Sequence, residues 1–313
     1  MKLDIIIPSY NEEKNVTLIY KKISDAFKNI NYEIIYVNDG STDNTYKELK
    51  KLYEDDQKHV KVVNFSRNFG KEAAIFAGLE KSDGKYTAII DADLEQNPKY
   101  LKEMLAFLED NQEYDEVCMI NKERKNHRGL HKFLARSFYK VINSLSDVKF
   151  EPDASDFRMF RKNVRDAILK LNEKNRFSKG IFSWVGFNIK YLPYDVEKRI
   201  HGTSNYGIKK SFKYAMDGII GYSIKPLKII TSTGITFSFV GFMYLLYVLI
   251  KTIVIGVDTP GFATIVCLIL FIGGIQLISI GMLGEYISKT FIETKNRPIY
   301  IEKNSLGFDD DIL

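Results

Sequence analysis

Two long stretches of this 313-residue chain lack any charged residue, although charged residues make up 27% of the whole. They cover residues 229–250 and 259–284. At about 1.5 Å per residue in a helix, each is long enough to cross a hydrocarbon layer about 30 Å thick. One such helix alone is commonly the buried core helix of a soluble protein. Two in succession at the end of a polar chain predict a transmembrane hairpin.

Cysteine and histidine, the residues of many metal clusters, are also scarce. The chain has two cysteines, Cys118 and Cys267, in a predicted strand and a predicted span, so we expect neither a metal cluster nor a disulfide. Its four histidines, at positions 59, 127, 131 and 201, have no metal-ligand spacing. Internal repeats and low-complexity linkers are absent from the sequence. These absences argue against a fold built around a metal cluster or a disulfide.

The distribution of basic residues predicts the orientation in the membrane. Lysines and arginines flank the hairpin on its outer sides, whereas the loop between the spans has only Lys251 and Asp258. By the positive-inside rule, we expect both termini in the cytoplasm and residues 256–260 outside. No signal peptide precedes the first strand, so we expect the N-terminal part to remain cytoplasmic. The prediction is a multi-pass protein of the cell (inner or plasma) membrane.

From residue 3 to about residue 121, strand and helix patterns alternate. Apolar runs predict strands at residues 3–7, 33–37, 60–65, 86–90 and 116–120. Between them, amphipathic patterns predict helices at about residues 12–28, 43–56, 70–82 and 98–110. This rhythm predicts an α/β fold, with a mostly parallel sheet and helices on both faces.

The predicted strand 86–90 ends abruptly in carboxylates at Asp91 and Asp93. Because side chains alternate along an extended chain, both acids point the same way at the strand's carboxyl end, where open α/β sheets bind ligands. With Glu95 following, they make a hard-oxygen site for Mg²⁺ or Mn²⁺ shared with phosphate oxygens. The alternative is that these acids merely end a strand and cap the helix starting near Pro98.

Other strand ends carry polar residues that the topology gathers at the same edge of the sheet. Asp39 stands at a strand terminus, where a carboxylate can accept a hydrogen bond from a ribose hydroxyl or a base N–H. Residues 66–72 combine positive charge with a glycine before a helix start, which favours anion binding. Asp156 is a candidate general base if it faces the metal site; otherwise it caps a following helix or pairs with Arg158.

Two basic amphipathic stretches predict contact with a membrane surface. Residues 122–145 interleave lysines and arginines with leucine, phenylalanine and tyrosine, and residues 207–228 repeat the pattern before the first span. A solvated helix packed on the sheet is the alternative for the first stretch. Nucleic-acid binding is the poorer interpretation, because the spans hold the chain at a bilayer. Between these stretches, Arg199 precedes a glycine-rich loop suited to phosphate.

Taken together, these segments resemble family 2 glycosyltransferases of the GT-A fold. More narrowly, they resemble the polyprenyl-phosphate glycosyltransferases, which include dolichol-phosphate mannose synthases and bacterial undecaprenyl-phosphate glucosyl- and N-acetylhexosaminyltransferases. The motifs follow one another in order and the hairpin comes after them. They occupy residues 6–12, 37–43, 66–71, 91–94, 156–158 and 199–206.

The resemblance implies roles for most of the singled-out residues. The nucleoside of a nucleotide-sugar would contact the residues of the first two strand ends, namely Pro8, Tyr10, Glu12 and Asp39. The metal and the diphosphate would be held by Asp91, Asp93, the residue matching Glu95, and Arg199. The phosphate of the lipid would be bound in the first basic stretch by Arg124, Arg136 and Ser137. Asp156 matches a carboxylate beside the reaction centre, either as base or as positioning group, and we count it with Asp93 as catalytic.

The resemblance also implies an activity and a domain layout. The activity is inverting transfer of one sugar from a nucleotide-diphosphate sugar, with UDP-glucose or a UDP-N-acetylhexosamine favoured, to polyprenyl (undecaprenyl) phosphate at the cytoplasmic membrane face. Small residues in the spans would allow contacts within one chain or in a homo-oligomer. The predicted layout is a catalytic domain at 1–206, an interfacial helix at 207–228, a hairpin at 229–285 with spans at 229–250 and 261–284, and a cytoplasmic tail at 286–313.

Two departures and two alternatives accompany this interpretation. The family usually has glutamine where Glu95 stands, and often lysine where Asn205 stands, which leaves donor identity and metal preference open. A processive polysaccharide synthase usually has more spans and a Gln-x-x-Arg-Trp segment, whereas the sole tryptophan here, Trp184, follows Ile-Phe-Ser. A catalytically silent membrane scaffold would not need Asp91 and Asp93.

Overall fold

A computed structural model describes residues 2–28, 30–122, 154–197, 220–256 and 261–308, together with residues 143, 144, 146, 148 and 151. Alternating strands and helices occupy the first part of the chain, as predicted. In chain order the elements are β1 (Lys2–Ser9), α1 (Val16–Ala26), β2 (Asn31–Asn38), α2 (Thr45–Asp55), β3 (Val60–Phe65), α3 (Lys71–Lys81), β4 (Tyr86–Ile89), α4 (Lys99–Asp110), β5 (Glu116–Asn121), β6 (Ala154–Arg161), α5 (Lys162–Leu169), α6 (Ser178–Trp184), β7 (Ile189–Tyr194), α7 (Lys225–Ile255), α8 (Phe262–Thr294) and β8 (Glu302–Leu306).

The strands form one mixed sheet of eight, in the order β7-β5-β6-β4-β1-β2-β3-β8. Its centre is parallel, since β1 pairs in parallel with both β2 and β4, and β2 with β3. Strand β6 runs antiparallel between β4 and β5, and β8 runs antiparallel beside β3. The predicted mostly parallel sheet is therefore confirmed, with two reversed strands that the apolar pattern did not predict.

Helices cover both faces of the sheet because successive strand residues point to opposite sides. On β1, Ile5 and Ile7 pack in the cluster that contains residues of α1, α2 and α4. The intervening Ile6 faces α3 on the other side. A Cβ at Gly78 of α3 would lie 2.4 Å from Ile6 Cγ2, so only glycine allows this close approach between helix and sheet.

Helix α1 begins at Val16, four residues later than predicted. Residues 12–15 form a turn instead, in which the N–H groups of Asn15 and Val16 both donate to the carbonyl oxygen of Glu12, at 2.9 and 3.1 Å. The acidic start of the predicted helix is therefore part of the loop that follows β1, on the carboxyl edge of the sheet.

Part of the predicted C-terminal tail, residues 300–306, returns to the sheet. Strand β8 pairs with β3, the ring of Tyr300 stacks on Phe65 with centroids 4.7 Å apart, and the amide of Asn64 donates to Asn304 at 2.7 Å. The segment 302–306 has no alternation of apolar and polar residues, which is why its sequence did not predict a strand. The end of α8 is thereby fastened beside the sheet.

Helices α7 and α8 contain nearly all of the two predicted spans. The stretches Lys225–Ile255 and Phe271–Thr294 are long and apolar enough to cross a membrane. Their apolar side chains are exposed, for example Phe239 at 64% and Leu277 at 72%, whereas the core helix of a soluble protein would bury them. The two helices touch each other where the rings of Phe237 and Phe271 lie 5.9 Å apart.

Several predicted features fall on residues that the structure does not describe. The predicted lipid-phosphate residues Arg124, Arg136 and Ser137 lie outside the described residues, and so does Arg199 of the glycine-rich loop. Most of the two basic amphipathic stretches and the loop at 257–260 also lie outside them.

Candidate active site

The candidate site lies at the carboxyl edge of the parallel strands. Strand β6 reaches this edge from the opposite direction, and its register with β4 pairs Arg158 with Ile89. Because the strands are antiparallel, Asp156, two residues before Arg158, comes beside Asp91, two residues after Ile89. Asp91 and Asp156 are separate candidates in the sequence, and the sheet brings their carboxylates together. Asp156 lies in a strand and not at a helix N-terminus, so the helix-capping alternative is wrong.

Lys71, the first residue of α3, connects these two carboxylates. Its ammonium nitrogen lies 2.6 Å from Asp91 Oδ1 and 2.9 Å from Asp156 Oδ2. All three side chains are partly exposed. The sequence indicated anion binding around Lys71, but did not place it between two acids, because no local pattern connects β6 with α3.

Gln96 fixes the remaining oxygen of Asp91. The side-chain carbonyl of Gln96 accepts from the backbone N–H of Asp91 at 2.9 Å, and its amide donates to Asp91 Oδ2 at 2.9 Å. Gln96 is buried, so this amide is held rigidly. The family resemblance concerned position 95, where this chain has glutamate instead of the usual glutamine. It did not predict that Gln96, the next residue, binds Asp91.

The turn after β4 positions Asp93 and Glu95. Leu94 adopts a left-handed backbone with φ 64° while its side chain is fully buried, and Asp93 Oδ1 accepts from the N–H of Glu95 at 3.1 Å. A buried leucine in this conformation is uncommon and holds the turn at some conformational cost. The turn keeps Asp93 and Glu95 close to the strand end.

These residues fit a divalent cation by their chemistry, although they are not arranged as a finished ligand set. Within the described part of the chain, Asp91, Asp93 and Glu95 do not form a group with oxygens all within 4.8 Å of one another. However, carboxylates are the ligands that Mg²⁺ and Mn²⁺ prefer. A cationic group already binds Asp91 and Asp156, and Asp156 Oδ1 is a buried oxygen without a hydrogen-bond partner among the described residues.

The charges around Asp156 keep it ionised. Burial by itself raises the pKa of this carboxyl, but the cations Lys71, Lys179 and Arg158 outweigh burial and hold the pKa well below its usual range. A carboxylate with so low a pKa is a weak base. Arg158 makes its own short ion pair with Glu116, at 2.7 Å, so the predicted pairing of Asp156 with Arg158 is a longer-range interaction.

Burial dominates at Asp91 and at Glu72. Burial raises the pKa of Asp91, although Lys71 opposes the shift. For Glu72, burial together with the nearby charge of Asp156 raises the pKa to about 7, against hydrogen bonds from Ser178. The backbone N–H of Ser178 donates to Glu72 Oε2 at 2.9 Å, and its hydroxyl also donates to that oxygen.

Asp39 holds the loop that leads into α3. Its two carboxylate oxygens accept from the backbone N–H groups of Phe69 at 2.6 Å and Gly70 at 2.9 Å, and the side chain is buried. The next residue, Gly40, has φ 61°, and a Cβ there would lie 2.2 Å from the backbone carbon of Arg67. The loops after β2 and β3 therefore pack tightly against each other. A carboxylate has lone pairs to spare for a nucleoside, so this contact leaves the predicted role open.

The remaining predicted nucleoside residues lie at the end of β1. Pro8 pairs in register with Val37, and Tyr10 is 44% exposed beside it. The backbone N–H of Glu12 donates to Thr45 Oγ1 at 2.8 Å. The loops after β1 and β2 are therefore joined, and Tyr10 presents an open ring surface at the edge where Asp39 lies.

A cavity of about 340 Å³ opens beside the two bridged carboxylates. Its walls include Lys71, Asp156, Lys174 and Arg176, and Ile299 closes it from the segment that follows α8. The backbone N–H groups of Lys174 and Asn175 donate to a carboxylate oxygen of Glu293 near the end of α8, at 2.8 and 3.1 Å. One wall of the cavity is thus fastened to the end of an apolar helix.

Comparison with known proteins identifies the family. Residues 4–169, more than half of the chain, match the model for glycosyl transferase family 2. The chain belongs to glycosyl transferase family 2. Residues 225–290, which contain α7 and most of α8, match the GtrB C-terminal hairpin.

Similar proteins span nearly the full chain. A putative glycosyltransferase CsbB of Bacillus subtilis is 42% identical over 97% of this chain and 92% of its own. A prophage bactoprenol glucosyl transferase homolog of Escherichia coli is 36% identical over 97% of this chain and 99% of its own. Among solved structures, a mycobacterial protein covers 70% of this chain and 72% of its own, with a TM-score of 0.50 and 15% identity, a likeness in fold alone. The predicted family is confirmed, and so is the prediction that the chain is a glycosyltransferase.

Proposed function

We propose that this protein transfers one sugar from a nucleotide-diphosphate sugar to a polyprenyl phosphate at the membrane surface. The observation that carries the proposal is the connection between the site and the hairpin. Glu293, near the end of α8, accepts hydrogen bonds from the backbone N–H groups of Lys174 and Asn175, which line the same cavity as Asp156. A long-chain lipid held by the bilayer would present its phosphate at this end of the hairpin. Relatives named bactoprenol glucosyl transferase, 36% identical over 97% of this chain, support the same acceptor.

For the donor, we propose a nucleotide-sugar lying across the carboxyl edge of the sheet. The nucleoside would lie against the loops after β1 and β2, where Pro8, Tyr10, Glu12 and Asp39 occur, and Arg199 would contact the diphosphate. The exposed ring of Tyr10 supports a stacking role toward a base. A UDP-sugar is favoured, with UDP-glucose and UDP-N-acetylhexosamines as the first candidates.

A divalent cation, Mg²⁺ or Mn²⁺, belongs to this proposal. Asp91 and Asp93 would hold it together with the donor diphosphate, and Glu95 is the third candidate ligand. When bound, such a cation neutralises the diphosphate and stabilises the departing nucleotide. Two observations support the assignment: the hard-oxygen character of the acids, and the buried oxygen of Asp156 that has no hydrogen-bond partner in the described part of the chain.

The acceptor is itself the nucleophile in the proposed reaction. A phosphate oxygen of the lipid forms the new bond to the anomeric carbon, the bond from that carbon to the diphosphate breaks, and the electron pair leaves with the nucleoside diphosphate. In-line attack inverts the anomeric centre and gives a β-linked sugar phosphate from an α-linked donor. Since a phosphate monoester is already anionic at neutral pH, no strong base is needed, and the low pKa of Asp156 supports a positioning role.

The acceptor side of the proposal rests on basic segments and on the hairpin. Arg124, Arg136 and Ser137 would bind the lipid phosphate, and the stretches at 122–145 and 207–228 would lie in the interface. We propose that both termini and the sheet are cytoplasmic and that the chain spans the cell membrane twice. The pairing of β8 with β3 supports a common side for the two ends of the chain, since β8 follows the hairpin and β3 precedes it. Association through the small residues of the spans is a further proposal.

The test is to incubate membranes containing the full chain with undecaprenyl phosphate and a panel of nucleotide-sugars, followed by mass analysis of the lipid. The proposal expects a product heavier by one sugar with one donor of the panel. A product with several sugars would favour a processive synthase instead. Absence of product with every donor, while a characterised relative is active in the same membranes, would contradict the proposal and favour a silent scaffold.

A further inference from the structure

Lys71 lies between Asp91, a candidate metal ligand, and Asp156, the carboxylate proposed to position the substrates. Among the described residues, it is the lysine whose ammonium lies within 3 Å of both Asp91 and Asp156. An ammonium this close to two carboxylates is favoured in its charged form, so Lys71 places a positive charge between Asp91 and Asp156. The sequence indicated anion binding around this residue but gave it no role at the metal site.

The backbone around Lys71 is held on both sides. Before it, Gly70 has φ 99°, a conformation suited to glycine, and the Gly70 N–H donates to Asp39 at 2.9 Å. After it, Glu72 accepts the backbone N–H of Ser178 at 2.9 Å. The start of α3 is therefore fixed relative to β2 and α6, and the ammonium position follows from that geometry rather than from a loosely placed surface side chain.

The contacts of Asp91 leave little room for a second cation. Its Oδ1 contacts Lys71 at 2.6 Å and its Oδ2 accepts from Gln96 at 2.9 Å. A divalent cation at Asp91 must therefore compete with a positive charge that already neutralises this carboxylate. Asp156 has one oxygen on Lys71 and the other without a partner among the described residues, so Lys71 can keep its contact with Asp156 while it leaves Asp91.

We propose that Lys71 is a positioning residue that stands in for the divalent cation in the donor-free enzyme. It holds Asp91 and Asp156 together until the metal and the nucleotide diphosphate arrive, and it then yields Asp91 and retains Asp156. The consequence is weak metal binding without nucleotide and tight binding with it, because the added negative charge of the diphosphate favours the metal over the ammonium. This inference rests on the metal site of the proposed function.

The test measures Mn²⁺ binding to the full chain in lipid nanodiscs by electron paramagnetic resonance, without donor and then with UDP. Without nucleotide, we expect Lys71→Met to bind Mn²⁺ about tenfold more tightly than the wild type, since the competing charge is gone. Lys71→Arg keeps the charge and should stay within about threefold of the wild type. Lys174→Met is the matched control: this lysine lines the same cavity, and among the described residues it makes no ion pair with Asp91 or Asp156.

A second readout separates positioning from general loss of structure. In transfer assays, Lys71→Met should lower the maximal rate about tenfold or more, because Asp156 loses the group that holds it, while less Mn²⁺ is needed for half-maximal rate. A variant that is merely damaged would lose rate without a lower metal requirement. If Lys71→Met does not fold, Lys71→Gln removes the charge with a polar side chain of similar length and is measured in its place.

An unchanged Mn²⁺ affinity in a folded Lys71→Met or Lys71→Gln protein would overturn the inference. So would an affinity that changes equally in Lys174→Met. Failure of the inference is distinguishable from failure of the proposed function. Tighter Mn²⁺ binding in Lys71→Met, together with no sugar transfer from any donor by the wild-type protein, would support the role of Lys71 and contradict the proposed acceptor reaction.

Discussion

Acidic side chains surround a lysine at both the amino edge and the carboxyl edge of the sheet. The two clusters differ in the contacts that their carboxylate oxygens make. At the amino edge, Asp4, Glu33 and Asp83 bring their oxygens within 4.8 Å of one another, and Lys2 contacts all three. At the carboxyl edge, Lys71 contacts Asp91 and Asp156. By ligand spacing alone, the amino edge is the better metal site.

The contacts reverse that ranking. Asp4 Oδ2 accepts from the backbone N–H groups of Asp83 and Gly84, both at 2.7 Å, and so fixes the turn that leads into β4. Asp83 is exposed, and Glu33 has a second ion pair with Lys61 at 2.9 Å. At the carboxyl edge, Asp156 lines an open cavity, and so does Lys71, which connects it to Asp91. Asp4 Oδ1 and Asp156 Oδ1 are both buried oxygens without a hydrogen-bond partner among the described residues, and of the two, Asp156 belongs to the cavity wall. Acids that bind their own backbone are structural, whereas acids that face a cavity are available to a ligand.

The largest expected effect is on the rate of sugar transfer, which should depend on the acids of the carboxyl edge and not on those of the amino edge. We expect Asp91→Asn to lower sugar transfer about 1,000-fold, because the site loses the charge that would hold a cation on the diphosphate. Glu33→Gln, an equal loss of charge at the amino edge, should leave transfer within about twofold. Initial rates of both variants in the same nanodiscs check this. Equal losses in the two variants would contradict the distinction between the edges.

The next effect concerns the hydrogen bonds that orient Asp91, and not the charge of Asp91. Gln96→Ala removes both hydrogen bonds to Asp91, and we expect transfer to fall about 10- to 100-fold, as for other residues that orient ligands. Gln112→Ala changes an exposed glutamine and serves as the control for the substitution itself. Full activity of Gln96→Ala would mean that the turn after β4 holds Asp91 without this amide.

At the amino edge the expected effect is on stability. Asp4→Ala leaves the N–H groups of Asp83 and Gly84 without their acceptor, and we expect a loss of about 1–3 kcal/mol in the free energy of unfolding. Asp83→Ala removes an exposed carboxylate and should cost less than about 1 kcal/mol. Unfolding followed by the fluorescence of Trp184 measures both. A kinetic defect in a folded Asp4→Ala protein would assign this edge a part in catalysis.

The last expected effect is a pH dependence of stability at the carboxyl edge. The pKa of Glu72 is raised to about 7 from an ordinary value of 4.5, so between these values the folded state binds more protons than the unfolded state. Its contribution to stability is therefore present below about pH 4.5, falls as pH rises toward 7, and is constant above. The difference in unfolding temperature between the wild type and Glu72→Gln should shift in that direction between pH 5 and pH 8. Glu54→Gln, at an exposed position, is the control, and an identical pH profile for wild type and Glu72→Gln would contradict the assignment.

Half of this site was predictable from the sequence and half was not. Asp91 and Asp93 were predictable because they follow an uncharged strand directly, and such a strand end is a local pattern. The contact of Asp156 with Asp91 depends on the antiparallel register of β6, which a run of apolar residues does not reveal. The roles of Lys71 and Gln96 could not be predicted for a related reason. Lys71 contacts Asp156, which is distant in sequence, and Gln96 reaches Asp91 only because a turn brings the two together.

The helices of the hairpin were predictable because a stretch of about 20 residues without charge is typical of a membrane span. The return of the chain to the sheet after them was not. Strand β8 carries charged and polar residues and gains its place from pairing with β3 and from the stacking of Tyr300 on Phe65. Such partners come from elsewhere in the chain, so a local pattern cannot indicate them.

The central claim is that the carboxyl edge holds a divalent cation on a sugar donor while the amino edge holds only the fold. It is tested most directly by stripping the full chain with EDTA in nanodiscs that contain undecaprenyl phosphate, then restoring Mn²⁺ in steps and measuring transfer from the donor found in the panel. We expect transfer to stop with EDTA, to return with Mn²⁺ in the wild type and in Glu33→Gln, and not to return in Asp93→Asn. Undiminished transfer in the presence of EDTA would contradict it.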